Sequence, residues 1–294
     1  MARFVRNFIL VFNLLLLAGF WGCSTGEDRE DFLTGPDPDK YGKGSGISFS
    51  MAPHFFPSID SVMVGAMYGR PDQGQGLPVV ILVHDFSRDY VQDWFQMGTL
   101  SFEDLLLEQG YIVLAINLRG HGNTPLPGNR QSYQLEDLEN SYLDVQAALT
   151  WLGSRAEIDR SRVAVVGTGF GGNVAYMSMG RFPQQIKTAV VLSPGFWDIS
   201  NNNKSVAVGD GLTPFQPHST LFVVGERNLI PTANDTLSMV QVASDLHAAT
   251  DEPKELRILP GEAAFGVGLL CDPAAPQCNS NARELLLNWL RDHL

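Results

Sequence analysis

The chain has 294 residues, with 20 Lys and Arg against 32 Asp and Glu for a formal net charge of −12, 44% hydrophobic and 18% charged residues. That composition suits one large globular domain and excludes a low-complexity or disordered chain. The acidic balance repels a phosphate backbone, which argues against nucleic acid as a partner. No run of like charges marks an interaction tail, so solubility is the plain reading of the charge.

The N-terminus reads MARFVRNFILVFNLLLLAGFWGCS, in which Arg3 and Arg6 precede an apolar run that ends in small residues and Cys23. This is the layout of a secretory leader over residues 1–22. Asn13 interrupts the run, and its length is short for a membrane span. Gly22 before Cys23 resembles a bacterial lipoprotein signal, although Phe20 and Trp21 stand where Leu and a small residue are usual. The resemblance implies lipid attachment at Cys23. Because Ser24 rather than an acidic residue follows, it also implies the outer membrane of a Gram-negative bacterium, on the periplasmic or surface face. A signal anchor and an ordinary cleaved leader are the alternatives. Residues 23–46 then form a polar, Gly- and Pro-containing tether, and residues 47–294 the folded domain.

Two further cysteines, Cys271 and Cys278, flank the segment DPAAPQ. The loop is short enough to close with a disulfide in an oxidising compartment, leaving no odd thiol if Cys23 is lipidated. A zinc site there is disfavoured, since no His or further Cys lies beside them at ligand spacing. The six histidines also lack the H-E-x-x-H pattern. No metal and no cofactor are expected.

From Ile47 onward, strand-like runs alternate with helix-like ones. Residues 47–51 and 61–68 read as the first strands. The runs 77–84, 111–118, 162–167, 188–193, 220–225 and 255–260 follow, mostly continuous in apolar residues, as parallel strands covered on both faces require. Amphipathic stretches at 91–109, 136–153, 170–181, 233–249 and 281–293 lie between or after them. Trp94, Trp151 and Trp289 fall on these stretches at core spacing. The alternation predicts a doubly wound, mostly parallel sheet, whose ligands bind beyond the carboxyl ends of the strands.

The residues after those strands carry the informative motifs. His84-Asp85-Phe86-Ser87 follows the run 77–84, Asn117-Leu118-Arg119-Gly120-His121-Gly122 ends the next, and Gly167-Thr168-Gly169-Phe170-Gly171 closes 162–167 and opens a helix. In this order and spacing they resemble the α/β-hydrolase fold family, near the minimal esterases of the dienelactone hydrolase and acyl peptidase kind. The resemblance covers about residues 47–293 and implies a single domain without a large cap, residues 194–219 standing where larger relatives carry one.

The same resemblance implies a nucleophile, an acid and a base. The G-x-S-x-G turn holds Gly169 at its centre, the acid position after the run TLFVVG holds Asn228, and the base position in the loop PGEAAFG holds Phe265. None of these side chains can attack a carbonyl, stabilise an imidazolium or shuttle a proton as the family requires. The retained apparatus is the oxyanion hole, with backbone N–H groups at Phe86 and Phe170. Asp85 replaces a customary glycine and adds a side chain where substrate would approach.

The expectation is therefore a pseudoenzyme that binds a short acyl or carboxylate ligand, or a partner, through the remnant cleft. A hydrolase using another nucleophile, such as Thr168 or Ser87, and a purely structural envelope protein are the alternatives. His84 and His121 are expected to orient backbone, His218 and His247 to be solvated, and Arg119 to anchor its turn.

Overall fold

The computed structural model describes residues 48–86, 89–95, 101–195, 215–231, 236–271 and 281–294. The leader, Cys23 and the tether lie outside the described residues, as do Ser87, most of the segment 194–219 and Cys278. The elements are β1 (Phe49–Pro57), β2 (Met63–Pro71), β3 (Leu77–Val83), a π-helical turn (Val91–Phe95), α1 (Phe102–Glu108), β4 (Ile112–Ile116), α2 (Leu135–Glu139), α3 (Tyr142–Leu152) and β5 (Ile158–Thr168). They continue with α4 (Phe170–Arg181), β6 (Thr188–Leu192), β7 (His218–Gly225), β8 (Leu229–Pro231), β9 (Thr236–Ser238), α5 (Met239–Ala248), β10 (Asp251–Leu259) and α6 (Ala282–His293).

Eight strands form one sheet in the order β1-β2-β4-β3-β5-β6-β7-β10, while β8 and β9 make a separate hairpin. The pairings of β1 with β2 and of β2 with β4 are antiparallel, and the other five in the large sheet are parallel. The expected α/β architecture is thus present. The connection 193–217 between β6 and β7, the place of a cap in the sequence reading, lies mostly outside the described residues. Among the described residues, no helix is long and apolar enough to cross a membrane.

The sheet is buried on both faces because β3, β4 and the Val163–Val166 run of β5 are continuous in apolar residues. In β3, Val80 and Leu82 join Trp94, Phe102, Leu106, Trp289 and Leu290 on one face. Val79, Ile81 and Val83 join Val145, Ala148, Val174 and Ala175 on the other. The period of two along the strand thus divides one sequence run between two helical layers. Each fully buried Leu or Val there contributes roughly 2 kcal/mol of burial free energy. A third cluster, with Tyr176, Phe222, Val224, Met239 and Val242, packs α5 against β7.

Several boundaries differ from the sequence reading, each for a local reason. The first strand continues past residue 51 to Pro57, through Pro53. Asp72 donates its N–H to the Ser48 carbonyl and Ser58 to that of Val62. Alternation along β1 therefore turns the odd-numbered backbone groups away from β2, toward the free edge. Prolines at 53 and 57 lose no ladder bond there, and they blunt the edge against pairing with another strand. The stretch 136–153 is two helices, broken at Asn140 and Ser141, where the Ser141 hydroxyl turns back to donate to the Asp137 carbonyl at 2.9 Å. The stretch 91–109 is likewise a π turn and a separate helix, and 233–249 narrows to α5 beyond the small hairpin.

One core residue opposes the fold. Glu103 in α1 is wholly buried, and among the described residues neither carboxyl oxygen has a hydrogen-bond partner of normal geometry. Burial pushes its carboxyl well above the usual carboxylate range. A raised native pKa favours folding at low pH, and that contribution is lost as pH rises and the unfolded chain ionises first. Glu103→Leu is expected to raise the urea unfolding midpoint at pH 8 by about 1–3 kcal/mol equivalent, with a smaller gain at pH 4.5. A gain that does not grow with pH would contradict this assignment.

Candidate functional site

The register of the sheet brings five chain segments together at its carboxyl edge. Val83 in β3 lies beside Gly167 in β5, and Thr168 lies beside Leu192 in β6. The loops starting at His84, Gly169 and Ser193 consequently leave the sheet side by side. Gly225 in β7 pairs with Leu259 in β10, which sets Asn228 against the loop 260–266.

The turn at Gly167–Gly171 is sharp because helix α4 starts on top of the strand ends. A Cβ built on Gly171 would lie 2.8 Å from the Val83 carbonyl carbon. Gly169 has φ 55° and ψ −121°, a conformation that costs a side-chain-bearing residue about 1–3 kcal/mol. Its N–H is held by the Leu192 carbonyl at 2.9 Å. With no side chain at 169, the position offers no nucleophile.

The space is nonetheless occupied. The Phe170 N–H donates to Asp85 Oδ1 at 2.8 Å. A Cβ built on Gly169 would stand 2.5 Å from the Asp85 carboxyl carbon, and closer still to Oδ1. The carboxylate thus takes one of the two backbone donors assigned to the oxyanion hole and overlaps the place of a nucleophile's side chain. The second residue of that pair, Phe86, packs its ring edge-on to Phe170 at 5.4 Å between centroids and tilted to Tyr133 at 5.0 Å.

Asp85 is held from both sides. Its N–H donates to Asp93 Oδ2 at 2.7 Å. His84 Nε2 accepts the Leu118 N–H at 3.0 Å, so Nδ1 carries the proton and donates to the Asp85 carbonyl at 2.7 Å. Burial holds the His84 imidazole well below its usual range. His121 is also lowered by burial, and its Nε2–H donates to the Phe86 carbonyl. Both rings are therefore neutral at pH 7 and tied to backbone, which is the orienting role expected of them. The His218 ring meets the Gln216 carbonyl at 3.1 Å, whereas His247 packs edge-on to Phe222 at 6.0 Å and is half-buried rather than solvated.

Arg119 anchors its turn through a buried ion cluster. Its guanidinium meets Asp144 at 2.9 Å and Asp60 at 2.7 Å, and its N–H donates to Asp144 Oδ2 at 2.8 Å. Burial pushes the Asp144 carboxyl up to about 6 against the pull of Arg119, so it is ionised at pH 7.

At the acid position, Asn228 is buried and fully engaged. Its Oδ1 accepts the Ser193 hydroxyl at 2.8 Å, and its Nδ2 donates to the carbonyls of Ala263, at 2.9 Å, and Ala264. Ser193 in turn accepts the Gly266 N–H at 3.0 Å. An aspartate could not make the two donations, because a carboxylate is an acceptor only. Asn228 thereby fastens the loop 260–266 by its backbone. Phe265 is 37% exposed, at the N-terminal end of the turn Gly266–Leu270. Among the described aromatic rings none stacks on it, so it joins neither Phe86 nor Phe170. Thr168 is buried with its hydroxyl unpaired and turned toward Gly266, away from any imidazole nitrogen among the described residues.

Sequence reasoning singled out Asp85, Phe86, Phe170 and Asn228 but missed Ser193. That residue adopts φ 46° with a side chain present, a left-handed conformation that only the fold reveals. Asp93, Asp60 and Asp144 were missed too. Among the described residues no cluster of His, Cys, Asp and Glu could hold a metal ion.

A family model described as the Alpha/beta hydrolase family matches residues 80–290. The chain is 25% identical to Epoxide hydrolase 4 of Homo sapiens over 119 residues, covering 40% of this chain and 28% of that protein. It is 30% identical to Protein ABHD14A of Danio rerio over 179 residues, 55% of each. The chain thus spans 28% and 55% of the lengths of these two relatives. Its fold is similar to that of the esterase Pf2001 of Pyrococcus furiosus, with TM-score 0.59 and 17% identity over 86% of this chain and 97% of that one. It is also similar to a dienelactone hydrolase of Anabaena variabilis, with TM-score 0.60 and 15% identity over 84% and 99%.

Asn228→Asp is expected to destabilise the protein by about 1–3 kcal/mol, with the loss larger at pH 8 than at pH 5, where a buried carboxyl regains its proton. Urea unfolding at the two pH values checks this. An unchanged midpoint at pH 8 would contradict the fastening role.

Proposed function

This chain belongs to the alpha/beta hydrolase family, and we propose that it is a non-catalytic member that acts by binding a ligand or partner. The observation that carries this reading is the nucleophile position, where Gly169 has no side chain and the Asp85 carboxylate fills the adjoining space. Asn228 and Phe265 support it at the acid and base positions. In a comparable triad, removing the nucleophile alone lowers turnover by roughly a million-fold. Replacing all three residues leaves only what binding and an oxyanion hole supply, roughly 10³–10⁴ over water, and here the hole is itself occupied.

The alternative of a hydrolase with another nucleophile finds no base among the described residues. The His84 and His121 nitrogens are engaged as described above, and Ser193 is committed to Asn228 and Gly266. Phe86 is half-buried and Phe265 and Leu229 are exposed, and with the Asp85 carboxylate already on the Phe170 N–H the site favours an apolar partner or a neutral acyl ligand over a free carboxylate. A carboxylate ligand would have to displace Asp85. A purely structural envelope role is the remaining reading.

By the sequence reading, the protein is exported and lipid-anchored at Cys23, with Cys271 and Cys278 joined outside the cytoplasm. Intact-mass measurement of the membrane-extracted protein is expected to give a processed N-terminus bearing acyl chains. An unmodified, unprocessed N-terminus would overturn the anchor.

The catalytic question is settled by turnover of short-chain p-nitrophenyl esters by the purified mature protein. The expected result is no hydrolysis above the buffer rate. Turnover that survives repurification and stays proportional to protein concentration would end the non-catalytic reading.

A further inference from the structure

We propose that Asp85 is a built-in carboxylate ligand of the oxyanion hole, which keeps Gly169 free of any side chain and shuts out free monocarboxylates. The proposal deepens the non-catalytic reading and rests on it.

Three features of the site carry the argument. Helix α4 is twelve residues long and has no acidic residue in its own first turn. The positive end of its dipole is therefore unmatched from within the helix, and the charge beside its first N–H is supplied from a different loop by Asp85, at 2.8 Å. The second feature is that this carboxylate is aimed. The backbone of Asp85 is fixed on its N–H side by Asp93, at 2.7 Å, and on its carbonyl side by the buried His84 ring, at 2.7 Å. His121 holds the next carbonyl, that of Phe86. The loop consequently presents Asp85 to Phe170 at little entropic cost when the contact forms.

The third feature is steric. The position of the Asp85 carboxyl carbon leaves no room for a Cβ at residue 169. The two side chains compete for one space: a Cβ at 169 requires the Asp85 carboxyl to turn away, and that breaks its contact with the Phe170 N–H. An acetate or butyrate anion has the same head group as the Asp85 side chain. It would meet the same donor in the same place once that side chain was removed.

The test uses the ¹⁵N-labelled full domain as wild type and as Asp85→Gly, titrated with sodium acetate against sodium chloride at matched ionic strength, with the Phe170 amide followed by NMR. The expected result is a saturating shift of the Phe170 amide in Asp85→Gly and none in the wild type. Equal shifts in both proteins would overturn the proposal, as would no shift in a well-dispersed spectrum of the variant. Asp85→Ala replaces the glycine variant if that one fails to fold.

A melting series of Gly169→Ala, Asp85→Gly and the double variant tests the steric half. Gly169→Ala alone is expected to lower the melting temperature by roughly 5 °C, and adding Asp85→Gly to recover part of that loss. Strictly additive losses would overturn the competition for one space. Ester turnover by the wild type would defeat the non-catalytic reading without moving the Phe170 amide, so the two failures are distinguishable.

Discussion

The start of helix α4 rests directly on the ends of strands β3 and β5, and the rest of the site follows from that close approach. Gly171 is packed against the Val83 carbonyl so tightly that a methyl group there would displace the strand. Gly169 turns the chain through a left-handed conformation to make the approach possible. With those two positions fixed, the Phe170 N–H must point into the space above the sheet, and the loop that follows β3 must pass beside it. The geometry of this turn is a consequence of packing: the glycines that shape it are required by the core.

What fills the site follows from the need to satisfy groups that a substrate or a catalytic histidine would otherwise engage. A donor at a helix start, in a partly buried position, gains from an anionic acceptor, and Asp85 supplies one. The carbonyls of Ala263 and Ala264 need a donor, which the Asn228 amide provides where a carboxylate could not. The Gly266 N–H needs an acceptor, which Ser193 provides. Asp85, Asn228 and Ser193 thus carry hydrogen bonds that hold loops in place. An aspartate at 228 would lose both donations to the 263 and 264 carbonyls.

Much of the scaffold was legible in the amino-acid pattern. The apolar runs that became β3, β4, β5, β6 and β7 need no tertiary information, because strands covered on both faces have no polar side to mask them. Helix α4 spans 170–181 as read, since the glycine turn fixes its start. The break at Asn140–Ser141 was hidden because helical periodicity continues across it, while a hydroxyl bonding back to the chain leaves no periodic trace. The extension of β1 through two prolines was hidden because proline usually ends a strand, and only the edge position makes it harmless. At the site, the pattern marked Asp85 as a side chain where the family has none. It did not reveal that the oxygen reaches a backbone N–H 85 residues further along the chain. Asp144, the partner of Arg119 at a separation of 25 residues, was unreadable for the same reason: partners across a fold are set by register, which short motifs do not encode.

The central proposal is that no described side chain beside Gly169 acts as an activated nucleophile. A fluorophosphonate ester tests it most directly, because it is captured covalently by an activated hydroxyl whatever the leaving-group preference of the site. The account predicts that the protein's intact mass is unchanged after prolonged incubation with the reagent. A stoichiometric phosphonyl adduct on a single serine or threonine, abolished by prior unfolding of the protein, would contradict it.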